Sequence, residues 1–224
     1  MSIIGLDEIS TVGANLARAE CVLCTANGRT FVSDWRGGVT ILEPDGSQWS
    51  LLAREAAFEV QPNGITLMED GSVLLCHLGA EQGGVYRLTE AADIHPFLTE
   101  VDGEALPPTN YAHLDENGRV WVTVSTRVIR IAPDGTHTTM IEDNEPDHVA
   151  RVEAAFQAGT MGRPDLDNAH SRKLRNISSL AFGGADMRTA HLGCLLDTTI
   201  YTFRSPCAGH PPPHWRFPGP RRCT

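Results

Sequence analysis

The sequence predicts an all-β fold assembled from repeated four-stranded antiparallel units, and three observations carry that expectation. A ten-residue pattern recurs along the chain, each copy opens a run of strands separated by hairpin turns, and a single segment has helical periodicity. "ECVLCTANGR" from Glu20 aligns with "NGITLMEDGS" from Asn63, with "NYAHLDENGR" from Asn110 and, more loosely, with "SSLAFGGADMR" from Ser178. The starts are separated by 43, 47 and 68 residues, and a glycine falls eight positions on at Gly28, Gly71 and Gly118, with Asp186 there in the fourth copy. Self-similarity at a period of about 20 to 50 residues marks an architecture built from one repeated supersecondary unit.

Taken in order, each unit begins with a short apolar strand and turns through "ANG", "EDG", "ENG" or "GGAD". Asn-Gly and Asp-Gly between apolar runs are strong hairpin signals because both residues tolerate positive φ. Second strands follow as "RTFVSDW", "SVLLCHLG", "RVWVTVST" and "RTAHLGCLL", and third strands as "GVTILEP", "GGVYRLT", "VIRIAP" and "TIYTFRSP". They are rich in the β-branched and aromatic residues that suit a pleated, half-buried surface. Fourth strands are expected at "SQWSLLA", "IHPFLTEV" and "THTTMIE". Four-stranded antiparallel units of about 40 to 50 residues are the blades of a β-propeller. The expectation is about four blades.

The longer gap before the fourth unit holds the amphipathic segment "NEPDHVARVEAAFQAG". Pro146 suits a first helical turn, Val149, Val152, Ala155 and Phe156 share a face, and Gly159 suits the stop, which predicts one helical insertion near 145–158. The following "TMGRPDLDNAHSRK" reads as loop, and "AGHPPPHWRFPGPRRCT" as a last short strand around Trp215 before the end frays. The expected organisation is one propeller domain over 1–217 with a flexible tail over 218–224.

Charge and composition bear on partners. With 28 acidic against 18 basic residues the formal charge is -10, which argues against nucleic acid. No stretch approaches the roughly 20 apolar residues of a membrane helix, and "MSIIGLDEIS" lacks the charged and apolar regions of an export signal. The expectation is a cytoplasmic protein with no membrane partner and with reduced cysteines. Cys21 and Cys24 form a C-x-x-C, but positions three apart on a strand face opposite sides and no second pair sits at zinc-ribbon spacing. Core packing is their expected role.

In a propeller the first strand of each blade lines the central channel, so Glu20, Asn63, Asn110 and Ser178 are expected to converge. One carboxylate and two amide oxygens make a hard-oxygen set suited to calcium and tolerant of other divalent ions. The competing reading of these polar residues is turn chemistry, in which asparagine is common. Glu20 has no such role. The sequence carries no G-x-S-x-G, H-E-x-x-H or G-x-x-x-x-G-K-[ST] pattern, so serine-hydrolase, zincin and P-loop chemistry have no foothold.

The segments "AECVLCTANGRTFVSDWRGGV", "PPTNYAHLDENGRVWVTVSTR", "VEAAFQAGTMGRPDLD" and "NISSLAFGGADMRTAHLGCLLDTTIYTFRSP", in that order, resemble the SMP-30/gluconolactonase/LRE-like (regucalcin-type) family. The resemblance implies a six-bladed propeller that hydrolyses sugar lactones and related esters with a divalent metal, Ca2+ or Zn2+, in the channel. By it Glu20 matches the first-blade metal ligand, Asn110 the third-blade asparagine near metal and substrate, and Asn63 the second-blade channel position. The family's fourth-blade asparagine and fifth-blade aspartate have no counterpart, and the alignment jumps near Thr126 and Arg127 as if about two central blades were missing. The implied partner is a small-molecule lactone or ester, its carbonyl polarised by the metal for attack by water. A non-catalytic binding propeller is the alternative. His77 and His113 are the histidines nearest the channel strands, and both are expected to be structural rather than bases.

Overall fold

The computed structural model describes residues 4–79, 82–101, 104–105, 108–114, 120–123, 130–131, 137–138, 143, 145–168 and 171–222. A 3-10 turn at Leu6–Glu8 leads into β1 (Ser10–Val12). β2 (Val22–Cys24), β3 (Thr30–Asp34), β4 (Gly38–Leu42) and β5 (Gln48–Leu52) form a four-stranded antiparallel sheet in chain order, and β6 (Pro62–Leu67), β7 (Val73–His77), β8 (Gly84–Leu88) and β9 (Ile94–Leu98) form another. Next come a small hairpin of β10 (Glu100–Val101) and β11 (Glu104–Ala105), the pair β12 (Tyr111–Leu114) and β13 (Val120–Thr123), and the pair β14 (Arg130–Ile131) and β15 (His137–Thr138). Two helices, α1 (Pro146–Gln157) and α2 (Arg163–Asp167), precede β16 (Ile177–Gly183), β17 (Thr189–Cys194) and β18 (Ile200–Arg204). These last three strands make a four-stranded sheet with β1, in the order β1-β18-β17-β16. The chain is mostly β.

The expected hairpins form where the turn residues stand. Gly28 and Gly71 take φ of +84° and +85°, a region a side chain rarely enters, and close the turns between β2 and β3 and between β6 and β7. The strands that follow are buried on both faces, which explains their nearly continuous apolar runs. Phe31 packs with Leu23, Ile41, Ile65 and Leu75 between the first two sheets, whereas its neighbour Val32 packs with Val22, Leu42 and Ile200 on the other side. In β7, Val73 and Leu75 join the first cluster, and Leu74 and Cys76 turn to Val85 and Ala112. The period-2 alternation of strands thus gives each sheet two apolar faces. The sheets therefore stack face to face. Each fully buried Val, Leu, Ile or Phe contributes about 1.5–3 kcal/mol.

Several elements depart from the sequence reading. The fourth strand of the last sheet is β1 from the start of the chain, paired to β18 as Ser10 with Thr202 and Val12 with Ile200. The segment around Trp215 is a 3-10 turn, Pro213–Arg216, rather than a strand. Pro211, Pro212 and Pro213 have no N–H to give a ladder. Instead the Trp215 carbonyl accepts from the Ala26 N–H at 2.7 Å, and Arg29 donates to the carbonyls of Pro218 and Pro220 at 3.3 and 3.1 Å. Part of the expected loop is α2, with Pro164 in its first turn and Gly162 N–H donating to Asp165 at 2.8 Å. α1 begins and ends as expected, but its apolar face is only partly covered: Val149, Val152 and Ala155 are half-buried and Phe156 is 64% exposed. Of the third unit the described residues include the strand pairs β12–β13 and β14–β15, and the join near Thr126 and Arg127 lies outside the described residues.

One carboxylate organises the approach to β16. The fully covered side chain of Asp143 accepts from the backbone N–H groups of Arg172, Lys173 and Leu174 at 3.1, 2.7 and 2.7 Å and from Arg172 Nε at 3.2 Å. Burial works against its charge, but these donors outweigh it and hold the carboxyl below its ordinary value of 3.8. Its stabilising effect is therefore fully present above that value and lost as pH falls through the depressed one. Asp143→Asn is expected to cost about 2 kcal/mol at neutral pH. In thermal melts against pH, its gap from wild type should close below pH 3.8. A gap that stays constant through that range would refute this role.

Candidate functional site

The opening strands lie side by side. β2 is next to β16 on one flank and β6 on the other, and β6 is next to β12. Gly64 N–H donates to the Asn110 carbonyl at 2.7 Å, and Asn63 Nδ2 donates to the same oxygen at 2.9 Å. On the other flank, both Ser178 and Ser179 donate their hydroxyls to the Glu20 carbonyl, and Ser179 Oγ accepts from the Val22 N–H at 3.1 Å. An irregularity in the β16–β17 ladder between Ile177 and Ser179 leaves Ser178 out of register. Short polar contacts thus tie β6 to the residue that opens β12, and β16 to the start of β2.

They enclose a cavity of about 770 Å³, lined by Glu20, Asn63, Asn110 and Ser178 together with Arg18 and Arg163. All four repeat-opening residues therefore meet at one place, although Ser178 directs its hydroxyl to backbone. The two arginines have no repeat signature, and only chain proximity marks Arg18. Asn63 is 7% exposed, and because its Nδ2 is committed to Asn110 the other end of the amide is fixed. Its Oδ1 is buried and has no hydrogen-bond partner among the described residues. An orphaned acceptor costs about 1–3 kcal/mol, so its retention points to a donor supplied from outside.

Glu20 is held by a neighbour. Arg18 has a left-handed backbone, φ +50°, with its carbonyl accepting from the Glu20 N–H at 2.8 Å. Its Nε donates to Glu20 Oε1 at 2.6 Å and its Nη1 to Asp167 Oδ1 at 2.8 Å. Arg163 from α2 donates Nε to Asp167 Oδ2 at 3.1 Å. Both guanidiniums lie against the Trp35 ring, 4.5 and 4.8 Å from its centroid. Burial of Glu20 outweighs Arg18 and keeps the carboxyl above its ordinary range.

For a divalent ion, the described residues offer the second Glu20 oxygen and the orphaned Asn63 Oδ1, which suits a cation or a hydroxyl donor equally. The Asn110 carbonyl is already taken by two N–H groups, and the residue lines the cavity. Among the described residues no group of three or more His, Cys, Asp or Glu could hold a metal. His77 is 2% exposed, accepts from the Gln61 N–H at 3.1 Å on Nδ1 and packs on Phe58, and burial lowers its pKa. The His113 side chain lies outside the described residues. Cys21 and Cys24 are free and buried, and burial pushes both thiols up to about 12.

No protein-family model matches the chain, and no curated protein matches it. Among solved structures it is similar to a gluconolactonase from Xanthomonas campestris, with 16% identity and a TM-score of 0.44 over 88% of this chain and 61% of that one. It is also similar to a streptogramin B lyase, with 14% identity and a TM-score of 0.38 over 85% of this chain and 56% of that one. The chain thus spans less than two thirds of the length of either structure. At these values the likenesses assign no activity.

Proposed function

We propose that this chain is a lactonase-type hydrolase of the gluconolactonase kind, built as a propeller of about four blades, that opens a sugar lactone or similar ester in the cavity between its first strands. The reading rests on the resemblance of the quoted segments and on one observation, that Glu20, Asn63 and Asn110 line a single cavity although they stand far apart in sequence. Glu20 and Asn110, with Asn63, would hold a divalent ion, Ca2+ or Zn2+. Such an ion, when bound, supplies Lewis-acid polarisation of the ester carbonyl. Asn63 and Asn110 would orient the hydroxyls of the ligand, and the surrounding apolar strands would limit water. For Glu20 to bind an ion through both oxygens, Arg18 must move from Oε1.

Calorimetric titration of metal-stripped protein with calcium and then zinc, beside Glu20→Gln, tests the ion. The expected result is one site per chain in the wild type and none in the variant, with lactone hydrolysis following the same pattern. A second reading, a non-catalytic small-molecule-binding propeller, is favoured by the Arg18–Glu20 ion pair, which already satisfies one carboxylate oxygen from within the chain. Absence of binding to both proteins, with no hydrolysis, would leave that reading in place of the first.

A further inference from the structure

The lactonase reading leaves the two arginines of the cavity without a task. Arg18 is 11% exposed at its side chain and is clamped by Glu20 and Asp167, yet its Nη2 donates to no other described residue. Arg163 spends only Nε on Asp167, so both of its terminal nitrogens are likewise uncommitted among the described residues. Both residues line the cavity, whereas Asp167 and Trp35, which fix them, do not. Guanidiniums held from behind by a shared carboxylate and an aromatic face are pre-organised donors. Their planar forks match a carboxylate and lose little freedom on binding.

Two further acceptors belong to residues that line the same cavity, the buried Asn63 Oδ1, which has no partner among the described residues, and the Glu20 oxygen not bonded to Arg18. Acceptors of this kind take hydroxyl hydrogens. We infer that the cavity recognises a polyhydroxy ligand bearing a free carboxylate, the carboxylate seated on Arg18 and Arg163 and hydroxyls on Asn63 and Glu20. A monoanion suits the charges better than a phosphate dianion does. Two carboxylates, Glu20 and Asp167, already balance the two guanidiniums, so every charge on the ligand adds to a neutral cluster and a dianion meets about twice the repulsion that a monoanion does. The inference rests on the reading of this cavity as the small-molecule site, and needs neither hydrolysis nor a metal.

The test is calorimetric titration in the presence of EDTA with D-glucuronate and D-galacturonate against D-glucose and D-galactose, pairs that differ by a carboxylate for a hydroxymethyl group. D-glucose 6-phosphate is the dianionic control. A hexuronate is expected to bind at least about tenfold more tightly than its neutral sugar, about 1.4 kcal/mol. Arg163→Gln should erase that preference while Arg163→Lys keeps part of it; with 46% of the Arg163 side chain exposed, both variants are expected to fold, which circular dichroism checks. Asn63→Ala should weaken the acid and the neutral sugar alike. Equal binding of the two sugars, no saturable binding of either acid, tighter binding of the phosphate, or an unchanged preference in Arg163→Gln would each overturn the inference. Lactone hydrolysis without a hexuronate preference sinks this inference alone, and hexuronate binding without any hydrolysis sinks only the lactonase reading.

Discussion

Deletion of residues 1–12 is expected to leave a chain that is largely unfolded at 25 °C. The segment supplies β1, the outer strand of the last sheet, through pairing with β18. It also buries Ile4 and Ile9, each 4% exposed, against Leu174, Leu192, Tyr201 and Phe203. Lys173 Nζ donates to the carbonyls of Leu6 and Ile9 at 2.7 and 2.6 Å, so its ammonium would lose both acceptors. Truncating one buried isoleucine costs about 2–5 kcal/mol. The sum over two, with the strand, reaches the whole stability of a typical domain, about 5–15 kcal/mol. The bare edge of β18 would in addition template association between chains. Circular dichroism melts and sedimentation velocity check this. A deleted chain that stays monomeric and melts within a few degrees of the full one would show that β1 is ornamental.

Gly193→Val should be the most damaging single substitution near the cavity. A Cβ at Gly193 would stand 2.4 Å from the Glu20 carbonyl oxygen and 2.9 Å from that of Ala19, both backbone atoms that cannot swing away. The strand is fixed there from both sides, by pairing of Gly193 with Ser179 and by the Cys194 N–H donating to the Ala19 carbonyl at 2.7 Å. Overpacking at such a contact costs about 3 kcal/mol. The displacement would also move Glu20, so hexuronate affinity should fall together with the melting temperature. A variant that keeps wild-type stability and binding would mean that β17 and β2 can separate without consequence.

The hairpins and the meander order were legible because local chemistry decides them. Asn27-Gly28 and Asp70-Gly71 force turns, and the strands between them are apolar on both faces. The same logic failed at the two chain ends. Nothing in "MSIIGLDEISTV" sets Ser10–Val12 apart as a strand, because its partner is β18, almost the whole chain away. Around Trp215 the aromatic residues suggested a strand and the prolines decided otherwise. At the candidate site, Glu20, Asn63 and Asn110 were found through the repeat, which projects equivalent positions to one place. Arg163 was not, since it enters from the helical insertion and has no repeat equivalent. The one sequence signal that could have flagged it was the Arg-Pro pair opening α2, which fixes a helix start without saying where that helix docks.

By itself the sequence determined the repeated strand units, their turns and the identity of the polar residues that open them, since each follows from interactions within about ten residues of chain. The tertiary structure alone decided that the last sheet is completed by the first strand, and that the Arg18 guanidinium reaches Asp167 while that of Arg163 reaches the Trp35 ring. Those contacts join residues more than a hundred positions apart. Their partners are chosen by burial and charge in three dimensions, which no local pattern encodes.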